Sequence, residues 1–118
     1  MSALVVYHNP ACSKCRGTLE ILQERGVEFD VIEYLKAPLD RAGLERILDR
    51  LSDSPSELVR KDKRFRELGL DDAELQTRES VIAILLAHPE LMQRPVVILG
   101  ERAVVARPSE RVLELWSD

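Results

Sequence analysis

The stretch Tyr7-His8-Asn9-Pro10-Ala11-Cys12-Ser13-Lys14-Cys15-Arg16 decides the fold, because it joins an apolar run to an amphipathic segment. Residues 3–7 are mostly apolar and predict a buried strand, whereas residues 13–25 repeat their apolar positions at helical spacing. Gly26 follows at the position where a left-handed residue commonly ends a helix. Cys12 is therefore expected at a strand-to-helix junction, at or just before the first helical turn.

This location makes Cys12 a candidate nucleophile. The first turn of a helix presents unpaired backbone N–H groups and the positive end of the helix dipole, and both favour a thiolate over a thiol. Lys14 and Arg16 add positive charge nearby. Cys15 follows at the C-x-x-C interval, about one turn along, where it can form a disulfide with Cys12 or resolve an adduct on it.

Two other uses of the cysteine pair have to be weighed. A C-x-x-C motif is half of a zinc site, but a structural zinc site needs four ligands, and the remaining candidates are only His8, His88 and carboxylates. We therefore expect no metal. The second alternative is a pair of inert buried cysteines, since free cysteine is among the most buried residue types.

The composition is that of a globular chain. Its 118 residues, 45% apolar and 32% charged, predict one domain over residues 1–118 with a core of its own. No apolar run approaches the roughly 20 residues of a membrane span, and the N-terminus has no signal-peptide pattern. We expect a cytoplasmic monomer without a membrane partner. In the cytoplasm, cysteines are more often catalytic than structural.

The charge pattern bears on the ligand. A net charge of −4 argues against general nucleic-acid binding. Most of the 17 basic residues are arginine, however, and arginine suits multidentate recognition of oxyanions. A local anion site is therefore compatible with an acidic chain.

The rest of the chain predicts a second strand, a helical insertion and a hairpin. Residues 28–34 alternate apolar and polar side chains, so residues 3–34 form a predicted right-handed βαβ unit with parallel strands. Helical patterns then fill about residues 40–90. The first is a helix from Asp40, whose inward positions are Leu44, Ile47, Leu48 and Leu51. A capping box at Ser54-Pro55-Ser56-Glu57 then predicts the start of a short helix. The last is a helix from Thr77, whose inward positions are Val81, Ile82, Leu85 and Leu86.

Two apolar runs near the C-terminus flank Gly100-Glu101, which is the signature of a type II′ hairpin. Pro108 then begins a final predicted helix with Val112, Leu113 and Trp116. The element order is βαβ, a helical insertion, then ββα, which predicts one α/β domain.

Arg94-Pro95 and Arg107-Pro108 stand at the two outer ends of this hairpin. The ends of an antiparallel hairpin are neighbours, so we expect both arginines on one side of the sheet. That side is the one with Cys12 if the hairpin pairs beside the first strand. The sequence leaves open whether the bond before Pro95 is cis or trans.

Four separated motifs closely resemble the glutaredoxin-type arsenate reductases, the ArsC family of the thioredoxin-like fold. They are Tyr7-His8-Asn9-Pro10-x-Cys12, Leu58-Val59-Arg60-Lys61, His88-Pro89 with Arg94-Pro95-Val96-Val97, and Arg107-Pro108-Ser109-Glu110. The resemblance covers nearly the whole chain in the right order. It implies a four-stranded mixed sheet flanked by helices, with the insertion forming one wall of the site.

The resemblance also implies roles for individual residues. The family's catalytic cysteine falls on Cys12, its three oxyanion-binding arginines on Arg60, Arg94 and Arg107, its thiolate-supporting histidine on His8, and its cis proline on Pro95. Arg60 is identified only in this way, because by itself it belongs to the densely charged run 60–66.

The implied activity is thiol-dependent reduction of arsenate to arsenite, without a bound cofactor. Glutathione is the second thiol in the family, and glutaredoxin then reduces the enzyme. Arsenate reductases of this type generally have no cysteine at the position of Cys15, so Cys15 could replace glutathione as the resolving thiol and shift the reductant towards thioredoxin.

Two alternatives to an arsenate reductase therefore stay open. One is a general thiol-disulfide oxidoreductase that uses Cys12 and Cys15. The other is an Spx-type transcriptional regulator, which shares the fold, binds RNA polymerase and switches by a Cys12–Cys15 disulfide. The motifs Arg107-Pro108-Ser109-Glu110 and His8-Asn9-Pro10 match the enzyme pattern better than the regulator pattern.

Overall fold

A four-stranded mixed sheet forms the centre of the computed structural model, which describes residues 4–116. Its strands are β1 (Leu4–His8), β2 (Asp30–Glu33), β3 (Val96–Leu99) and β4 (Arg102–Val105), in the spatial order β2-β1-β3-β4. β1 pairs in parallel with β2 and antiparallel with β3, and β3 and β4 form the hairpin. The predicted mixed α/β sheet is confirmed. Residue 3 of the first predicted strand lies outside the described residues.

Helices surround this sheet and fill the chain between β2 and β3. The α-helices are α1 (Ser13–Arg25), α2 (Arg41–Arg50), α3 (Lys63–Glu67) and α4 (Arg78–Ala87), and the 3₁₀ helices are Pro55–Leu58, Asp72–Leu75, Pro89–Leu91 and Ser109–Trp116. α1 has the predicted bounds and ends at Gly26, whose φ of 73° gives the left-handed cap. A single domain over residues 1–118 stays a prediction, because both ends lie outside the described part.

The sheet separates two hydrophobic clusters, because alternate residues of each strand face opposite sides. Leu4 and Val6 of β1 pack with Leu22 of α1 and with Val112 of the C-terminal 3₁₀ helix. On the other side, the cluster contains Tyr7 and the buried residues of the helical insertion, among them Leu44, Ile47, Val81, Ile82 and Leu85. The core thus fixes α1 and the C-terminal 3₁₀ helix on one face of the sheet.

Several local predictions were wrong. Ser54 does not cap the helix that begins at Pro55, because its hydroxyl contacts the Ser56 hydroxyl at 3.1 Å instead of a backbone N–H. A reciprocal capping box is present at Thr77, where Ser80 returns the bond to the Thr77 backbone. Leu86, which was expected inward, is 42% exposed near the end of α4.

The second strand and the last helix also differ from expectation. β2 is shorter than the predicted 28–34 and lies at the sheet edge, so its Val31 stays exposed. The last helix begins at Ser109 and is a 3₁₀ helix with Leu113 exposed. Gly100 has φ of 58° at the first hairpin position, as a type II′ turn requires.

No helix between residues 4 and 116 combines the length and the apolar character that a membrane crossing needs.

Candidate active site

Cys12 occupies the N-cap of α1, four residues after β1 ends at His8. The connecting loop is held by Asn9, whose carbonyl accepts a hydrogen bond from the Cys12 N–H at 3.0 Å. The Asn9 side-chain oxygen accepts a second bond, from the Ala11 N–H, also at 3.0 Å. Cys12 is partly exposed at the predicted strand-to-helix junction, whereas Cys15 is buried.

The environment of Cys12 favours its thiolate. Partial burial raises the pKa of Cys12, but hydrogen bonds from the backbone and side chain of Cys15, from the Arg94 guanidinium and from the Lys14 backbone outweigh that effect. Together they lower the pKa of Cys12 to about 7. About half of the Cys12 side chains are therefore ionised at neutral pH, which provides the thiolate that a nucleophilic cysteine requires.

The two hairpin arginines meet at Cys12. Nη1 of Arg107 lies 3.9 Å from the sulfur of Cys12 and donates a hydrogen bond to the carbonyl oxygen of Arg94 at 2.9 Å. The Arg94–Pro95 bond is cis, and the Arg107–Pro108 bond, for which no prediction was made, is cis as well. Both arginines lie on one side of the sheet, as hairpin geometry predicts, and they lie beside Cys12.

Arg94 carries an unused donor. Its Nε atom is buried and has no hydrogen-bond partner in the described part of the chain. Its guanidinium also lies close enough to Tyr34 and Cys12 for these two groups to raise its pKa, although burial acts in the opposite direction. Buried N–H groups are rarely left unpaired in proteins, so an unpaired one beside a thiolate is suited to an anionic ligand.

Cys15 has a different environment from Cys12, although both are free thiols. Its side chain is 0% exposed, and its sulfur accepts a hydrogen bond from the Asn9 N–H at 3.4 Å. Burial and the neighbouring Cys12 raise the pKa of Cys15 to about 12. Cys15 is thus a protonated thiol at neutral pH, placed to donate a hydrogen bond to the Cys12 sulfur.

His8 is only 7% exposed at the end of β1. Burial lowers the pKa of His8, and Arg16 lowers it further, while Glu33 raises it. The imidazole is therefore neutral at pH 7 and supplies no positive charge to the thiolate. Its Nδ1 atom lacks a hydrogen-bond partner among residues 4–116. The role implied for His8 stays a prediction, and any such role belongs to a neutral ring.

Arg60 reaches this region through the helical insertion. Its backbone N–H donates to the Leu91 carbonyl at 2.7 Å, which anchors it beside the segment that leads to Arg94. Its side chain forms an ion pair with Asp62, with 3.6 Å between Nε and the carboxylate oxygen. Arg60 and Arg94 both act electrostatically on Tyr34. Direct convergence of Arg60 on the sulfur of Cys12 stays a prediction.

Sequence reasoning missed Tyr34, which is 1% exposed and follows β2 directly. Its hydroxyl donates to the Met92 carbonyl at 3.3 Å, and burial raises its pKa. A signal was available, because the carboxyl ends of parallel strands meet at one edge of a sheet and Cys12 follows the parallel strand β1. The residue after β2 was therefore a candidate for the same site.

No group of three or more His, Cys, Asp or Glu side chains in residues 4–116 is arranged to hold a metal ion.

An α/β fold with a thiolate at the start of α1 and two arginines from a cis-proline hairpin defines a thiol-based protein of the thioredoxin-like class. The ArsC family model matches residues 7–115, and the chain belongs to that family. It is 44% identical over 112 residues to the uncharacterized protein YfgD of Escherichia coli, with 93% of each chain covered.

Two further relatives are named for an activity. An arsenate reductase of Neisseria meningitidis is 37% identical over 114 residues, which cover 95% of this chain and 97% of that protein. The structure of an arsenate reductase from Vibrio cholerae is 36% identical, covers 95% of this chain and 96% of its own, and superimposes with a TM-score of 0.85.

Proposed function

We propose that this chain is an arsenate reductase in which Cys12 is the nucleophile. The observation that carries the proposal is the sulfur of Cys12, with a pKa of about 7, lying 3.9 Å from the Arg107 guanidinium and beside that of Arg94. Relatives named arsenate reductase, at 36% and 37% identity over nearly the whole chain, support it.

Arsenate binds, in this proposal, in front of the Cys12 sulfur. Its negatively charged oxygens accept charge-assisted hydrogen bonds from the guanidinium groups of Arg94 and Arg107. Arg60 closes the site from the insertion once its guanidinium exchanges part of its ion pair with Asp62 for the oxyanion. The side chains supply cationic donors for an anion with four oxygens.

The first chemical step forms a bond between sulfur and arsenic. The Cys12 thiolate attacks arsenic(V), and one arsenate oxygen leaves as water after it takes up protons. Arsenic keeps its oxidation state in this step. Arg94 and Arg107 stabilise the charge that remains on the other oxygens, because their guanidinium groups are already in place.

The second step transfers two electrons. A second thiolate attacks the Cys12 sulfur, a disulfide bond forms, and the sulfur–arsenic bond breaks with its electron pair left on arsenic. Arsenic(V) becomes arsenic(III), which is released as arsenite, while two thiols become one disulfide. A further thiol must then reduce that disulfide to regenerate Cys12.

We propose glutathione as the second thiol and glutaredoxin as the protein that regenerates Cys12. The burial of Cys15 and its pKa of about 12 support an external thiol, because Cys15 is a poor nucleophile at neutral pH. The proposal includes no bound cofactor, a monomeric enzyme and the cytoplasm as its location, where glutathione is abundant.

A general thiol-disulfide oxidoreductase is the second candidate, and one observation favours it. The Cys15 side chain hydrogen-bonds to the Cys12 sulfur, so the two sulfurs are neighbours. The charge on Cys12 is one cause of the high pKa of Cys15, and it disappears once Cys12 is bonded to a substrate. Cys15 would then resolve the adduct as a Cys12–Cys15 disulfide. For a regulator, the paired arginines beside the thiolate would have no use.

The experiment that tests the proposal is a measurement of arsenite formation by wild type, Cys12→Ser and Cys15→Ser. Each protein receives arsenate with either glutathione and glutaredoxin or thioredoxin and its reductase. Turnover by wild type and Cys15→Ser with glutathione, but not by Cys12→Ser, supports it. Turnover that needs Cys15 and thioredoxin favours the second candidate, and wild type without activity in either system rejects arsenate reduction.

A further inference from the structure

The hydroxyl of Ser109 joins the loop that carries Arg107 to the first turn of α1. Ser109 is 9% exposed, and its Oγ donates a hydrogen bond to the Lys14 carbonyl at 2.9 Å. Lys14 is the second residue of α1, directly after the turn that presents Cys12. The bond therefore connects the chain segment that holds the thiolate to the segment that holds the Arg107 guanidinium.

Gly17 provides the space for this bond. A Cβ atom built on Gly17 would lie 2.9 Å from Oγ of Ser109, which is closer than real Cβ contacts. Glycine inside an exposed helix costs about 1 kcal/mol relative to alanine, so its presence here needs a reason. The close approach of Ser109 to α1 supplies one.

The Ser109 bond runs beside the contact between Arg107 and Cys12. Cys12 and Arg107 are 95 positions apart in the chain, and so are Lys14 and Ser109. Lys14 lies two residues after Cys12, and Ser109 lies two residues after Arg107. The Ser109 hydrogen bond thus joins the two chain segments close to the contact between the Cys12 sulfur and the Arg107 guanidinium.

We propose that Ser109 is a positioning residue that keeps Arg107 and the first turn of α1 in register around Cys12. The inference rests on the proposed function, because the distance it sets is the one used in arsenate binding. Binding groups must be held within about 0.5 Å of their productive geometry. The 3.9 Å separation between Arg107 and Cys12 is also supported by the hydrogen bond from Arg107 to the Arg94 carbonyl, but that bond does not reach α1.

The test is the pH profile of Cys12 alkylation by iodoacetamide in wild type and Ser109→Ala. Trypsin cleaves after Lys14, so the peptide of residues 1–14 contains only Cys12, and mass spectrometry reads it separately from Cys15. We expect Ser109→Ala to move the midpoint to higher pH and to slow alkylation at pH 7 by about twofold to fivefold, because the guanidinium and the helix N–H groups stabilise the thiolate less well. An unchanged midpoint overturns the inference.

Thr18→Val is the matched control. The Thr18 hydroxyl donates to the same Lys14 carbonyl, also at 2.9 Å, but this hydrogen bond lies within α1. We expect this variant to keep the wild-type midpoint. If Thr18→Val moves the midpoint as much as Ser109→Ala does, the effect comes from the carbonyl alone and the positioning role is wrong.

Gly17→Ala tests the space around the bond. With Ser109 present, the added methyl must displace Oγ, so we expect a lower melting temperature and a raised alkylation midpoint. In the Ser109→Ala background the nearest atom is Cβ of residue 109, at 3.5 Å, which is ordinary contact. There the same substitution should raise the melting temperature through helix propensity. The same change in melting temperature in both backgrounds contradicts the proposed contact.

Failure of this inference and failure of the proposed function are distinguishable. The alkylation profile needs no arsenate, so it reports on Ser109 even if wild type does not reduce arsenate. If wild type reduces arsenate, we also expect Ser109→Ala to raise its KM for arsenate by about threefold to tenfold. A wild-type KM in Ser109→Ala overturns the inference and leaves arsenate reduction intact.

Discussion

Nη1 of Arg107 lies 3.9 Å from the sulfur of Cys12, although the two residues are 95 positions apart in the chain. The contact follows from the sheet, because β3 pairs with β1 and places the outer end of the hairpin beside the residues that follow β1. The nucleophile and its cationic partner therefore come from opposite ends of the chain. Both are held by the same four strands.

Replacing Arg107 by alanine should weaken arsenate binding. The variant loses a charge-assisted hydrogen bond of about 1.5–3 kcal/mol, so we expect the KM for arsenate to rise about 10- to 100-fold. Arg66→Ala is the matched control, because Arg66 is an exposed arginine of α3 and should leave KM unchanged. Steady-state kinetics with glutathione and glutaredoxin measure both variants, and equal KM values for them would contradict the assignment.

The reactivity of Cys12 should rise with pH through about 7. Its pKa of about 7 lies below that of an ordinary cysteine, so the thiol predominates below this pH and the reactive thiolate above it. Cys15, with its pKa raised to about 12, should remain unmodified over the same range. Alkylation rates measured from pH 5 to 9 check this, and a midpoint above 8 for wild-type Cys12 would refute the thiolate environment described here.

Replacing Cys15 by serine and replacing it by alanine should have different effects on the pKa of Cys12. Serine retains a donor to the Cys12 sulfur, whereas alanine removes it, and that hydrogen bond is one cause of the lowered pKa of Cys12. We therefore expect Cys15→Ala to raise the alkylation midpoint of Cys12 and Cys15→Ser to raise it less. Equal midpoints for both variants and wild type would show that Cys15 does not stabilise the thiolate.

Removing the hydroxyl of Tyr34 should destabilise the fold modestly. Tyr34→Phe leaves the Met92 carbonyl without this donor in a buried position, which typically costs about 1–3 kcal/mol of unfolding free energy. Arg94 loses a neighbour too, so a small rise in the KM for arsenate should accompany the change. Urea denaturation measures the stability, and an unchanged midpoint would mean that the Met92 carbonyl finds another partner.

Local chemistry made part of the structure predictable. α1 and its Gly26 cap follow from periodicity and from the conformational freedom of glycine over a few residues. The junction at Cys12 follows from the adjacent strand and helix patterns. Arg94 and Arg107 could be brought together because hairpin geometry relates residues that are far apart in the chain.

The errors and omissions arise from tertiary contacts. Ser54 is a residue type that commonly caps helices, but its hydroxyl contacts the Ser56 hydroxyl instead of a backbone N–H. Leu86 continues the apolar pattern of α4, but its position on the helix leaves it 42% exposed. The neutral state of His8 depends on burial, which the sequence around it does not specify. Arg60 was identified only by family resemblance, because a charged run gives no indication of which of its members faces a site.

The most direct test of the central claim is mass spectrometry of the peptide of residues 1–14 after a single turnover with arsenate and glutathione, without glutaredoxin. Our account predicts one glutathione on Cys12 for each arsenite released, and neither product from Cys12→Ser. Arsenite release with an unmodified Cys12, or no arsenite from wild-type protein, would contradict it.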